Sequence, residues 1–183
     1  MPLLTTPVIP AIDLYNHVSR YFVMAHVGAD SFLARNYQNH WALLPNIGLD
    51  ALSVPFARVV PPLMLAKGIV ALIFVVQFSG ALALSSALRP GGAVFCGVTV
   101  APLLYNFSLT WGFANFLFGL GLVLWAAAWW VRTRGRSNGA VAVSCVLAVF
   151  VFLAHGFVFA LYGVLIAALE LGAFLENGER SVR

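Results

Sequence analysis

The residues best suited to chemistry stand near the start of the chain. Asp13, Asn16, His17 and Arg20 recur at i, i+3, i+4 and i+7, which puts them on one face of a helix. One turn apart, a carboxylate and an imidazole can share a proton or a metal ion, and a nearby arginine can grip a phosphate with two N–H groups. The plainer reading of the same face is a solvated stripe on a surface helix. His26 lies roughly opposite His17 around that helix, so the two do not form a chelating pair. His40, in a polar run, reads as a loop residue. Asn46 and Asp50 form a second i, i+4 pair among apolar neighbours. They either satisfy each other on an interfacial helix or contribute to the same pocket as Asp13.

Four more polar groups sit inside long apolar runs: Gln77, Asn106, Asn115 and His155, with Glu170 further on. Polar groups in such surroundings are costly and need partners. They either hydrogen-bond between helices or line a cavity. Asn115 and His155 are the candidates for contact with a substrate. Gly112, Gly119 and Gly121 permit close helix packing. Cys96 and Cys145 lack metal-ligand spacing and read as small buried hydrophobes. The sequence has no phosphate-gripping glycine loop with a lysine, no paired-cysteine metal site and no nucleophile elbow.

What must position these residues is a membrane bundle. Of the 183 residues, 62% are hydrophobic and 9% charged, against about 25% charged in soluble domains. Mean hydropathy is +0.95. A soluble fold of this size buries only roughly 70% of its surface, so the bilayer must cover the remainder. The net charge of +4 comes from basic residues too scattered for a nucleic-acid stripe. The expected fold is all-α: a polytopic helical membrane protein with about four to five membrane segments and an N-terminal amphipathic region outside the cytoplasm.

Residues 1–60 hold six of the sixteen charged residues and three of the four histidines. Residues 1–10 lack the basic n-region and long apolar core of a signal peptide. The pattern predicts an amphipathic helix over 11–27, with Leu14, Val18, Tyr21, Phe22 and Ala25 on its apolar side. A short helix capped by Asp30 or Ser31 follows, then an interfacial stretch over 41–60. Pro61-Pro62 opens a transmembrane bundle over 61–175, with spans expected at 63–88, 93–109, 112–131 and 140–159. Residues 160–175 either continue the last span or form a further segment, and 176–183 read as a polar tail. Arg132, Arg134 and Arg136 form the densest basic cluster, just after Trp125, Trp129 and Trp130. Positive residues favour the cytoplasm, so the 132–139 loop is expected inside and the N-terminal region outside. A unit this small leaves little room for a private cavity, so a homo-oligomer or a larger membrane complex is expected.

The run Ile12-Asp13-Leu14-Tyr15-Asn16-His17-Val18-Ser19-Arg20 resembles the opening of a group of uncharacterised bacterial multi-span membrane proteins. The stretches from Trp41 to Asp50 and from Trp111 to Gly119 resemble that group's later motifs, and His155 matches its span histidine. The likeness covers most of the chain in patches. The group's layout is similar to that of the C-type glycosyltransferases, which use lipid-phosphate sugar donors and place an acidic catalytic residue in the first outward loop. The resemblance implies a bacterial inner (cytoplasmic) membrane protein. It implies that Asp13 is a general base, or a ligand to a divalent metal near the donor phosphate, and that His17 and Arg20 contact phosphate. Such enzymes carry a span before this aspartate and more segments than this chain has, so a truncated member is expected.

Three classes of function fit these residues, each with its own structural signature. A transferase-like enzyme requires the 11–27 helix to fold over the span ends with its polar face toward a cavity. A non-catalytic subunit or scaffold requires that face in water. A small transporter requires Gln77, Asn115 and His155 to converge on one axis. The resemblance puts the enzyme first.

Overall fold

The computed structural model describes residues 5–181, with side chains described to residue 175. Among the described residues there is no strand, and the helices run in the order α1 (Leu14–His26), α2 (Ser31–Asn36), α3 (Gly48–Ser53), a short 3₁₀ turn (Phe56–Arg58), α4 (Pro62–Leu88), α5 (Ala93–Leu103), α6 (Phe107–Trp111), α7 (Ala114–Thr133), α8 (Asn138–Ala154) and α9 (Gly156–Ser181).

Local chemistry sets these limits. Proline suits the first helical position, where its missing N–H costs nothing, and Pro62 starts α4 there. Its 27 residues extend about 40 Å at 1.5 Å each, more than the ~30 Å of a hydrocarbon core. The Arg89–Gly92 turn ends it, with Gly91 at φ 79°. Pro102 stands in the last turn of α5, which stops well before residue 109. Asn106 then caps α6, its side-chain oxygen accepting from the Leu109 N–H at 3.1 Å. Ser137 caps α8 in the same way through the Ala140 N–H, at 3.2 Å. Asp30 caps α2 through the Phe32 and Leu33 N–H groups.

The span expected at 140–159 is interrupted. α8 ends at Ala154, His155 takes an extended conformation, and α9 starts at Gly156. Residues 160–175 are thus the body of α9, and that helix continues to Ser181 through most of the stretch expected as a tail.

Helices α4 and α7 form the spine. A Cβ on Gly121 would lie 2.7 Å from Val76 Cγ1 and 2.9 Å from the Gln77 nitrogen, and one on Gly80 would lie 2.9 Å from the Gly121 carbonyl oxygen. Backbone therefore meets backbone here, as small residues allow between membrane helices. Gln77 donates from Nε2 to the Leu117 carbonyl at 2.8 Å across this interface. On the other side of α7, Val123 and Ala126 pack against Val151, Val158 and Tyr162 of α8 and α9.

Pro62–Leu88, Ala114–Thr133 and Gly156–Leu175 are each long and apolar enough to cross a membrane, and α5 and α8 are shorter apolar helices. Their outer faces carry Val94, Phe95, Val98, Val146, Val149 and Phe150 to the surface. Such a surface is compatible with lipid contact, and the chain is a polytopic helical membrane protein.

Short connections make these helices antiparallel neighbours. The α4–α5 and α7–α8 loops share one end. There Arg132 donates to the Ala83 carbonyl at 2.9 Å, and Glu170 accepts from Trp130 at 2.7 Å and Arg134 at 3.1 Å. The start of α4, the α5–α6–α7 corner and the α8–α9 junction share the other. Helix α1 lies across that second end. Its buried Leu14, Val18, Tyr21 and Ala25 join Leu65, Ile69 and Ile73 of α4 and Leu117 and Phe118 of α7 in one core. Of the apolar side predicted for this helix, only Phe22 is exposed, stacked on His26 at 4.2 Å.

Candidate functional site

A cavity of about 440 Å³ opens where α1 meets the bundle end. Asp13 and His17 enter it from α1, Asn46 from the loop before α3 and Ser108 from α6. Phe113, Asn115 and Phe116 come from the start of α7, and His155 from the α8–α9 break. Residues far apart in sequence thus build one site within a single chain.

Backbone contacts hold each contributor. The Ile12 and Asp13 N–H groups donate to the carbonyls of Thr110 and Trp111 at 3.0 and 2.9 Å. They can come that close because Gly112 adopts φ 80° and has no Cβ: one would stand 2.5 Å from the Leu14 nitrogen. Asn46 also has positive φ, 70°, a region asparagine enters more readily than most residues. Its loop is wedged against the His155 break. A Cβ on Gly48 would lie 3.1 Å from Ala154 Cα, and one on Gly156 would lie 3.3 Å from Pro45.

Asp13 and His17 are paired, Nε2 to Oδ2 at 3.2 Å. The other Asp13 oxygen accepts from Asn16 Nδ2 at 2.9 Å. Burial pushes the His17 pKa below its ordinary value, against the opposing pull of the Asp13 charge, so the imidazole is neutral at pH 7. In a neutral ring one nitrogen donates and the other accepts. Donation from Nε2 to Asp13 leaves Nδ1 as the accepting nitrogen.

Deeper in the cavity, Asn115 is 4% exposed. Its Oδ1 and His155 Nδ1 are both buried without a hydrogen-bond partner in the protein. Phe116 meets the His155 ring edge-on at 5.6 Å.

Arg20 and Asp50 fall outside this cavity. They pair with each other and border a second hollow of about 500 Å³ with Ser19, Asn39 and His40. Burial raises the Asp50 pKa, and the Arg20 charge opposes that rise. Burial likewise raises that of Tyr21, whose ring lies 5.8 Å from the Arg20 guanidinium carbon. Asn46 and Asp50 part company: Asn46 lines the cavity with Asp13, and Asp50 borders the second hollow. Gln77 does not reach either hollow, being bound to Leu117, and Asn106 is spent on its helix cap.

Among the described residues, no three His, Cys, Asp or Glu side chains are grouped closely enough to hold a metal ion. Both Asp13 oxygens face protein donors, Asn16 Nδ2 and His17 Nε2.

No family model, curated protein or solved structure matches this chain.

Ser108, Phe113 and Phe116 are the cavity residues that sequence reasoning missed. Ser108 follows the Asn106 cap signal and so sits on a short corner helix, a legible clue. The two phenylalanines carry no signal that separates them from other apolar residues.

Proposed function

We propose that this chain is a transferase-like membrane enzyme, similar in plan to the C-type glycosyltransferases and acting on a lipid-linked substrate at the outer membrane face. The observation that carries the proposal is the Asp13–His17 pair entering a polar cavity at the bundle end. A surface helix with a merely solvated stripe has no reason to aim its carboxylate and imidazole at Asn115 and His155. Neutral His17 can accept the proton of a substrate hydroxyl as that oxygen attacks, and the adjacent carboxylate stabilises the imidazolium that forms. The bond from the transferred group to its phosphate breaks in the same step, and the phosphate leaves with the electron pair. Arg20, in the adjoining hollow, is the guanidinium on this helix face that a phosphate can meet. The basic 132–139 loop lies at the opposite end of the bundle, so a cytoplasmic loop puts the cavity outside.

The test is complementation of a strain lacking the gene by Asp13→Asn, Asp13→Ala and His17→Ala, with membrane expression measured in parallel. Loss of phenotype at normal expression in all three supports a charge-dependent site. A normal phenotype in all three removes the enzyme and leaves a scaffold or a small transporter.

A further inference from the structure

The cavity lining is unusual in what it omits: among the described residues that line it, none is Lys or Arg. Among those residues the one formal charge at pH 7 is the Asp13 carboxylate, since burial keeps His17 neutral. The remaining polar groups, Asn46, Ser108, Asn115 and His155, can each both donate and accept hydrogen bonds. Two of their atoms, Asn115 Oδ1 and His155 Nδ1, are buried with no protein partner, and Asn115 is more than nine-tenths buried. A buried amide oxygen in that state calls for a donor from a ligand.

This chemistry discriminates among ligands. A phosphate dianion or diester is an acceptor only, and it would meet Asn115 Oδ1 and the Asp13 carboxylate as repelling neighbours. An ammonium donates only, and it would leave the donating N–H groups of the two amides unanswered. A hydroxyl donates and accepts, so it matches each of the four groups in turn. Phe113 and Phe116 supply apolar wall for the carbon skeleton between hydroxyls.

We propose that Asn115 and His155 form the floor of a subsite for an uncharged, multiply hydroxylated group, which the cavity selects over anionic headgroups. The proposal rests on the transferase reading only in taking this group as the one presented to Asp13 and His17. Any phosphate of the same or a second substrate stays out of this cavity. The hydroxylated group belongs either to a lipid headgroup or to a free polyol.

The experiment uses the full chain in phospholipid nanodiscs, with binding followed by tryptophan fluorescence. Trp111 is a suitable reporter, stacked 6.3 Å from Phe113. The probes are hexyl glucoside, hexyl phosphate and hexylammonium below their micellar concentrations, and methyl glucoside. The expected result is saturable binding of hexyl glucoside, weakened about tenfold or more by Asn115→Leu and by His155→Phe. Hexyl phosphate and hexylammonium bind at least tenfold more weakly. His155→Phe keeps a flat ring at the Phe116 contact, so it stays informative if Asn115→Leu fails to fold. Equal affinity for methyl glucoside supports the subsite with a free polyol as its source, and dependence on the hexyl chain supports it with a lipid headgroup. Preference for hexyl phosphate, binding indifferent to both variants, or no binding of any probe overturns the proposal. Complementation by Asp13→Asn separates the two readings. Its loss beside phosphate-selective binding removes only the hydroxyl subsite, and its retention beside glucoside-selective binding removes only the transferase.

Discussion

Gly112→Ala is the sharpest perturbation of the site that leaves its polar groups untouched. At φ 80° the added Cβ would lie 2.5 Å from the Leu14 nitrogen and 2.7 Å from the Asp13 nitrogen. Both are backbone atoms, so no side chain can rotate out of the way. Restoring an ordinary contact of 3.4 Å moves the start of α1 by roughly 0.9 Å, the difference between 3.4 and 2.5 Å. That shift breaks the Ile12–Thr110 and Asp13–Trp111 hydrogen bonds, at about 1 kcal/mol each. The left-handed backbone costs an alanine about 1 kcal/mol more. The sum is about 3 kcal/mol, all of it at the α1 docking site, since the α4–α7 spine does not touch Gly112 through these atoms. A misplacement of about 1 Å at a reacting group costs on the order of 100-fold in rate. Amide hydrogen exchange should therefore speed up across Leu14–His26 while α4 and α7 keep their protection, and complementation should fail at normal expression. Unchanged exchange in α1 together with unchanged complementation would refute the idea that this corner holds Asp13 in place.

Acidification tests the buried imidazole. The His17 pKa is lowered in the folded protein from 6.5, so the unfolded chain binds the proton more readily. The stability this group contributes is present above pH ~6.5 and is lost as pH falls toward the folded value. Thermal melts of wild type should therefore decline more steeply below pH ~6.5 than those of His17→Gln, and parallel curves would contradict this. The Arg20–Asp50 pair predicts an asymmetry. Arg20→Ala strands a buried carboxylate and should cost about 1–3 kcal/mol, whereas Asp50→Asn leaves a half-exposed guanidinium that can turn to water and should cost less than ~1 kcal/mol. Equal melting shifts for the two variants would show that the burial of Asp50 does not set the cost of breaking the pair. Gln77→Leu removes one interhelical hydrogen bond and should cost about 0.6–1.5 kcal/mol with complementation intact. Loss of function at normal expression would restore Gln77 to a transport path.

Much of this fold is legible in the sequence because punctuation and period agree. Pro61-Pro62 and Arg89-Pro90 bracket an apolar run, and α4 begins and ends there. The polar stripe of α1 is equally clear: Asp13, Asn16, His17 and Arg20 keep helical spacing, and the apolar positions between them are the ones the core buries. What periodicity does not carry is the break at His155. Apolar residues run through both sides of it, so neither hydropathy nor spacing marks the point where the backbone turns extended. The same limit applies to the cavity. Helical spacing puts Asp13 and His17 together, but only tertiary packing decides that Asn115 and His155 face them while Gln77 spends its amide on Leu117. The spacing of Asn46 and Asp50 suggests one face of a helix. The positive φ at Asn46 separates them, and that is set by the wedge of Pro45 and Gly48 against the α8–α9 junction.

The transferase proposed for the polar cavity requires it to open outside the cytoplasm, at the end of the bundle opposite the basic loop. Substituted-cysteine labelling reads that placement. Cys96 and Cys145 are replaced by alanine, single cysteines are placed at Ser108 in the cavity and at Asn138 beside the basic loop, and intact cells are treated with a membrane-impermeant maleimide. The expected result is labelling of Ser108→Cys in intact cells and of Asn138→Cys only after lysis. Labelling of Asn138→Cys in intact cells, with Ser108→Cys reached only after lysis, would contradict it.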